Sequence, residues 1–171
     1  FKRITETVRV IFYSKEGILS TPINVCSKYI VMFIIFGAFL ERTGIADFFI
    51  DISNALVGRF SGGPAKVAVV ASAMEGMVSG SSVANTVGSG AVTIPLMKRT
   101  GYKPEFAAAA EASASTGGQI MPPIMGAAAF LMAETVGVPY ASIVTKAILP
   151  AVLYFAGVFI TVHIEAKKEG L

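Results

Sequence analysis

The sequence predicts an all-α integral membrane protein built around interrupted helices. The chain has 171 residues, of which 54% are hydrophobic and 15% charged. Its mean hydropathy is +0.69. Soluble domains carry about 25% charged residues, so the deficit points to lipid. Two polar, glycine-rich breaks fall inside this apolar background. One is Glu75-Gly76-Met77-Val78-Ser79-Gly80-Ser81-Ser82-Val83-Ala84-Asn85-Thr86, and the other is Ser113-Ala114-Ser115-Thr116-Gly117-Gly118-Gln119-Ile120-Met121-Pro122-Pro123. A bilayer offers no water to loose backbone N–H and C=O groups. Such breaks survive there only where they are buried in protein or line a cavity.

The elements follow in chain order. Residues 1–17 place Ile4, Val8, Ile11 and Phe12 at helical spacing among Lys2, Arg3, Glu6 and Arg9. This predicts an amphipathic helix at the membrane interface, with a plain connector as the competing reading. Residues 22–40 approach the roughly 20 apolar residues of a span, and Lys28 near one end can snorkel. Residues 44–57 set Ile45, Phe48, Phe49, Ile52 and Leu56 on one face, too short to span and suited to the interface. Together, residues 18–63 read as a scaffold span with an interfacial arm.

Residues 64–134 form the next unit. Pro64 suits the first turn of a helix. The stretch 65–97 is open to one span or a re-entrant hairpin folded at Ser79–Ser82, with arms of roughly 15 residues, or about 23 Å each; a single span would split the flanking basic residues, which favours the hairpin. The hairpin reading puts Arg59, Lys66, Lys98, Arg99 and Lys103 on one face, which the positive-inside rule makes cytoplasmic. Residues 105–133 form a helix broken at Thr116–Pro123, with an alanine-rich first half suited to close helix packing in lipid. Residues 135–171 form a closing span, with Pro139 at its start, Pro150 as a kink and Lys167-Lys168 at a cytoplasmic end. One conflict stands. Counting spans backward puts residues 1–17 outside although they carry Lys2, Arg3, Arg9 and Lys15, only partly offset by Glu6 and Glu16. Phe1 heads the chain without a charged n-region or cleavage site, so the sequence reads as an internal fragment.

Several function classes are excluded. The net charge of +3 comes from short loops and forms no continuous basic patch, which argues against nucleic acid. The single cysteine, Cys26, reads as an inert small hydrophobe. No P-loop, dinucleotide fingerprint or metal-spaced Cys/His set occurs. Gly80-Ser81-Ser82-Val83-Ala84 faintly resembles a nucleophile elbow. The one histidine, His163, is far away and reads as an interfacial side chain, so a serine intramembrane hydrolase on Ser81 or Ser82 is a minor alternative.

The breaks themselves suit ion and solute binding. Unwound carbonyls with Ser, Thr and Asn oxygens supply ligands for Na⁺, and half-helix N-termini present N–H groups to a carboxylate. Helix packing through Gly76 and Gly80, in a G-x-x-x-G pattern, competes with that reading at the first break. A simple proline kink competes at the second. Three acids lie in or near the spans. Glu111 is placed deepest and is a possible intramembrane acid; a proton, a cation, a lysine and a backbone donor are all open as its partner. Glu134 reads as a solvated helix end, and Glu75 as an inner-wall residue of the hairpin.

The sequence resembles the large membrane subunit of tripartite ATP-independent periplasmic (TRAP) transporters. The runs that carry the resemblance are Phe36-Gly37-Ala38-Phe39-Leu40-Glu41, Gly62-Gly63-Pro64-Ala65-Lys66, Ser79-Gly80-Ser81 with Ala84-Asn85, Thr93 to Tyr102, and Glu111 to Gly126. The wording is closest to fused permeases served by TAXI-type binding proteins. The resemblance implies a multi-pass protein of the bacterial or archaeal cytoplasmic membrane. It would import organic acids with a Na⁺ gradient and a periplasmic solute-binding protein, without an organic cofactor. Its partners would be that protein, the rest of the permease including the small-subunit portion, and lipid.

The implied fold is the first inverted repeat of an elevator-type transporter. The implied Na⁺ ligands are Ser79, Gly80, Ser81, Asn85, Ser115, Thr116 and Gly117. The implied substrate wall is Ser81, Ser82, Asn85, Thr116, Gly117, Gly118 and Pro122. The other readings are a divalent-anion/Na⁺ symporter that needs no binding protein, the hydrolase, and a non-transporting scaffold.

Overall fold

The computed structural model describes residues 2–14, 17 and 20–171; the expectations for Phe1, Lys15 and Glu16 lie outside them. Every regular element among these residues is helical. Helix α1 (Lys2–Tyr13) is amphipathic, and its Ile4, Val8 and Phe12 are exposed. Helix α2 (Thr21–Val25), a π-helical turn (Cys26–Ile30) and α3 (Val31–Glu41) follow one another directly. Within them Ile23–Leu40 is long and apolar enough to cross a membrane, and only 6% of it is buried inside the chain. Cys26 is exposed on this apolar surface.

After a turn at Gly44 (φ 81°), α4 (Ile45–Val57) runs against α5 (Gly63–Ser79). Ser53 marks the contact: it is fully buried, with its hydroxyl 3.8 Å from Met74 Sδ. The arm predicted for residues 44–57 is therefore packed on the hairpin, with Phe48 and Leu56 left exposed.

Helix α5 begins with Pro64 in its first turn and stops at Gly80, whose φ of 58° ends the helix. Ser81 is extended (φ −121°, ψ 115°) and its Oγ accepts from Ala84 N at 3.3 Å, capping α6 (Ser82–Gly88). A hydroxyl at the N-cap satisfies a donor that the first turn leaves free. Ser89 joins α6 to α7 (Gly90–Arg99). Both α6 and α7 return along α5, so 63–99 is a helical hairpin turned at Gly80-Ser81.

Helix α8 (Pro104–Gly117) continues as a 3₁₀ turn (Gly118–Ile120), and the chain is non-helical from 121 to 126 before α9 (Ala127–Val136). The break therefore falls at 118–126, later than the predicted Thr116–Pro123. Thr116 remains helical because its backbone still completes the last turn of α8. Helix α10 (Tyr140–Glu169) has 30 residues, begins after Pro139, contains Pro150, and is the second helix able to cross a membrane.

Small residues hold the bundle together. Ala65, Ala68 and Val69 of α5 meet Ala107, Ala110 and Ala114 of α8, with Val162 and Ala166 of α10 completing the cluster. Alanine faces let helix backbones approach where lipid gives no hydrophobic drive for association.

The start of α5, the end of α7, the start of α8 and the end of α10 meet at one pole. Ser61 Oγ donates to the Leu171 carbonyl at 2.5 Å, and Lys103 pairs with Glu169 at 3.3 Å. Arg59, Lys66, Lys98, Arg99, Lys103, Lys167 and Lys168 belong to that pole, and the hairpin tip lies at the far end of α5 from it.

Candidate functional site

The two breaks meet. Ser82 Oγ accepts from Gln119 Nε2 at 2.6 Å. Gly80 is pressed against the backbone of Met125; a Cβ there would stand 2.9 Å from the Met125 carbonyl carbon and closer still to its oxygen. The Gly126 N–H donates to the Gln119 carbonyl at 2.7 Å, folding 119–126 back on itself, and Met125 takes a positive φ of 57°. Tyr140 of α10 braces this loop: its hydroxyl donates toward the Pro123 carbonyl at 3.0 Å and also contacts the Ile124 carbonyl. Its ring stacks on Phe130 at 4.3 Å.

A cleft of about 370 Å³ opens here. Ser79 to Ser82 line one side, Gln119 and Ile124 to Ala128 the other, and Phe33 of α3 closes it. A neighbouring cleft of about 310 Å³ lies between α3, α4 and the hairpin, lined by Glu75, Ser79, Ser81 and Gly37 among others.

A second polar group lies deeper, between the hairpin arms and α8. Asn85 is fully buried and its Nδ2 donates to the Ser72 carbonyl at 2.8 Å. Ser89 Oγ lies 2.8 Å from the Asn85 carbonyl and 2.6 Å from Glu111 Oε1. Ser72 and Ser115 reach the same carboxylate oxygen at 3.1 and 3.2 Å, and Thr93 reaches Oε2 at 2.5 Å. Glu111 therefore faces hydroxyls, and among its hydrogen-bond partners neither a lysine nor a backbone donor appears.

The breaks also pack backbone to backbone. A Cβ on Gly118 would lie 2.9 Å from Gly76 Cα and 3.0 Å from Asn85 Nδ2. Gly117 is covered by the rings of Tyr154 and Phe155 of α10.

The residues expected to act together fall into four places. Ser79, Gly80, Ser81, Ser82 and the half-buried Pro122 belong to the tip and the facing loop. Asn85 and Ser115 belong to the deeper group. Thr116 belongs to neither: it is exposed and its hydroxyl donates to the Ala112 carbonyl of its own helix at 2.8 Å. Gly117 and Gly118 serve close packing.

The reading of Glu134 agrees with its exposed place near the end of α9, and Glu75 is buried in the hairpin. Ser72, Ser89, Thr93, Gln119 and Tyr140 stand outside the expected ligand and wall residues. The pairs Ser89/Thr93 and Glu111/Ser115 stand at i, i+4, a spacing that aligns them on one helix face and could have revealed part of the group.

His163 lies near Lys66, at the opposite end of α5 from Ser81. A 17-residue helix separates them by roughly 25 Å. A Ser–His pair on Ser81 or Ser82 is thus excluded by geometry, and the hydrolase reading falls.

Residues 8–171 match the family described as "Tripartite ATP-independent periplasmic transporter, DctM component". The C4-dicarboxylate TRAP transporter large permease protein DctM of Vibrio cholerae is 33% identical over 142 residues, covering 83% of this chain and 31% of that protein. The protein of the same name from Pseudomonas aeruginosa is 31% identical over 142 residues, covering 83% of this chain and 33% of the relative. The 2,3-diketo-L-gulonate TRAP transporter large permease protein YiaN of Escherichia coli is 32% identical over 94 residues, covering 55% and 22%. The chain thus spans about a third of the curated relatives it matches. No solved structure matches it.

Proposed function

The chain belongs to the DctM-component family of tripartite ATP-independent periplasmic transporters, and we propose that it forms half of the moving unit of a Na⁺-driven, binding-protein-dependent importer of organic acids. The observation that carries this reading is the junction of Gly80–Ser82 with Gln119–Gly126 around one cleft. Broken helices meeting at one place supply what coupled import needs: unwound carbonyls and hydroxyls for a hard monovalent cation, and free N–H groups for a carboxylate. The N-terminus of α9, at Ala127 and Ala128, opens into the cleft and carries a partial positive charge. In this reading Ser79, Gly80 and Ser81 hold Na⁺, while Ser81, Ser82 and the α9 N-terminus form one wall for the acid. Thr116 is omitted because its hydroxyl is engaged on its own helix.

The hairpin 63–99 enters from the basic pole, which is cytoplasmic, and turns back without crossing. Ile23–Leu40 and α10 cross the membrane and α4 lies at its interface, giving the first repeat of an elevator-type permease. The V. cholerae and P. aeruginosa relatives are named for C4-dicarboxylates, which supports a small organic acid as cargo. A TAXI-type solute-binding protein and the small-subunit portion are the proposed partners, in a bacterial or archaeal cytoplasmic membrane.

The test uses the complete parent permease in proteoliposomes, with labelled C4-dicarboxylates and 2-oxoglutarate. Uptake that needs both an inward Na⁺ gradient and the cognate binding protein supports the proposal. Na⁺-driven uptake without the binding protein would favour the simpler symporter. Absence of Na⁺ dependence, with uptake otherwise intact, would refute the coupling assignment.

A further inference from the structure

The basic pole carries positive charge that the chain does not balance. Lys66 is 4% exposed, and its ammonium donates to the Ser61 carbonyl at 2.5 Å. The rings of Phe60 and Phe159 flank it, with centroids 5.9 and 5.7 Å away. Arg59 is exposed and lies over the same Phe60 ring at 5.6 Å. His163 stands beside Lys66, with an Nδ1 that meets no hydrogen-bond partner. Lys167 follows His163 by one turn on the same face of α10 and is exposed. The acids at this end of α10 are engaged elsewhere: Glu165 pairs with Lys168 at 3.2 Å and Glu169 with Lys103 at 3.3 Å. Among the described residues, no carboxylate pairs with Arg59, Lys66 or Lys167. A buried ammonium without a counter-charge is costly, and an anion beside it lowers that cost.

An apolar groove starts at the same place. It runs between α5 and α10, has a volume of about 490 Å³, and is lined by apolar side chains alone. Phe159 belongs both to the surroundings of Lys66 and to the groove wall. Val69 and Val70 stand one turn beyond Lys66 on α5, and Ile160 one turn before His163 on α10. Along α5 the lining continues to Met77, roughly 16 Å of helix from Lys66. Val152 and Ile160 on the α10 rim are exposed, so the groove is continuous with the outer apolar surface of a helix able to cross a membrane. Apolar lining alone would suit a protein segment equally well. The unbalanced cations at the mouth decide between the two occupants, because an amphiphile with an acidic head and an apolar tail matches both ends at once.

We propose that the α5–α10 groove binds an anionic phospholipid of the surrounding leaflet, with one acyl chain along Val69 to Met77 and the headgroup phosphate between Arg59 and Lys167, over the buried charge of Lys66. Seated there, the lipid ties the base of the hairpin to the closing span. The site lies at the opposite end of α5 from the tip cleft and does not rest on the proposed coupling ion or cargo.

The test is native mass spectrometry of the complete permease in detergent, titrated with dioleoyl phosphatidylglycerol or dioleoyl phosphatidylcholine. The two lipids share their chains and differ in net headgroup charge. The wild type should hold one phosphatidylglycerol in clear preference to phosphatidylcholine. A basic residue near a membrane surface contributes about 1 kcal/mol of attraction to anionic lipid. Arg59→Gln and Lys167→Gln should therefore each weaken that binding about 5-fold, and together about 30-fold. Lys98→Gln with Arg99→Gln removes the same charge from the same pole, at the end of α7 and away from the groove, and should leave the preference in place. Ala156→Phe, at an exposed lining position, fills the groove and should weaken the binding of both lipids. Lys66 stays unchanged, because its buried amine also serves the fold. Equal holding of the two lipids would overturn the inference. So would a loss in the Lys98/Arg99 double variant as large as in the Arg59/Lys167 one, which is the mark of unspecific attraction to the pole. Full phosphatidylglycerol binding by Ala156→Phe would overturn it too, leaving the groove to a segment of the permease. These readings need no transport, so they fail or succeed independently of the importer assignment.

Discussion

Replacing Gly118 by alanine tests the backbone contact between the hairpin and the broken helix. Gly118 has helical φ and ψ (−57°, −30°), so alanine brings no conformational strain. Helix propensity alone would favour it by up to about 1 kcal/mol. The new methyl, however, would stand 2.9 Å from Gly76 Cα and 3.0 Å from Asn85 Nδ2. Ordinary carbon contacts are about 3.5–4.0 Å, so the neighbours must yield by more than half an ångström. Neither can do so cheaply: Gly76 is helix backbone, and Asn85 is fixed on the Ser72 carbonyl at 2.8 Å. Overpacking of this kind costs about 1–3 kcal/mol, which against the propensity gain leaves a net loss of up to about 2 kcal/mol, or up to roughly 30-fold in the folded-to-unfolded ratio. Gly157→Ala is the control, because a Cβ there meets nothing within 4 Å. The assay is unfolding of the complete permease in lipid nanodiscs, with Gly118→Ala and Gly157→Ala side by side. If Gly118→Ala proves as harmless as Gly157→Ala, the close approach of Gly76 and Gly118 is wrong.

Further outcomes follow from other contacts. Asn85→Ala removes the donor to the buried Ser72 carbonyl and should cost about 1–3 kcal/mol, read as a lowered unfolding temperature, with Thr86→Ala, which removes a half-buried hydroxyl bonded only within its own helix, costing less. Gly80→Ala combines a left-handed φ, worth about 1–2 kcal/mol, with a collision against Met125; it should abolish uptake while the protein remains in the membrane, measured by uptake against surface-normalised expression. Tyr102, in the loop between α7 and α8, has its phenol raised from the usual 10.0 by burial and then by Glu165. The unfolded chain therefore ionises this group first, and stability held below pH 10 falls as pH rises beyond it. Tyr102→Phe should flatten that alkaline limb in denaturation measured across pH, at little neutral-pH cost because its bond to the Gly62 carbonyl is 3.5 Å long.

The backbone plan was more legible than the site. Gly80 between two apolar stretches, with serines after it, favours a hairpin turn over a single span, and Pro64 and Pro139 mark helix starts where proline is tolerated. The deeper polar group was harder to read. Ser72, Ser89 and Thr93 are single hydroxyls in apolar helices, and their meeting at Glu111 depends on how α5, α7 and α8 pack. Adjacency also misled. Ser115 and Thr116 look like one motif, yet neighbouring helical residues point about 100° apart, so Ser115 faces Glu111 while Thr116 faces out. Gln119 sits just past the helix end, where no periodicity could say that it would reach Ser82.

The central claim is that the hairpin tip and the broken helix form one working junction. The most direct measurement introduces cysteines at Ser82 and Gln119, whose side chains meet at 2.6 Å, in the complete permease with Cys26 replaced. Cross-linking by a short bis-thiosulfonate reagent, which spans the length lost when Gln119 is shortened to cysteine, is followed together with substrate uptake. The account predicts a rapid cross-link that stops uptake and is reversed by reduction. Failure of the pair to cross-link, or a cross-linked permease that transports normally, would contradict it.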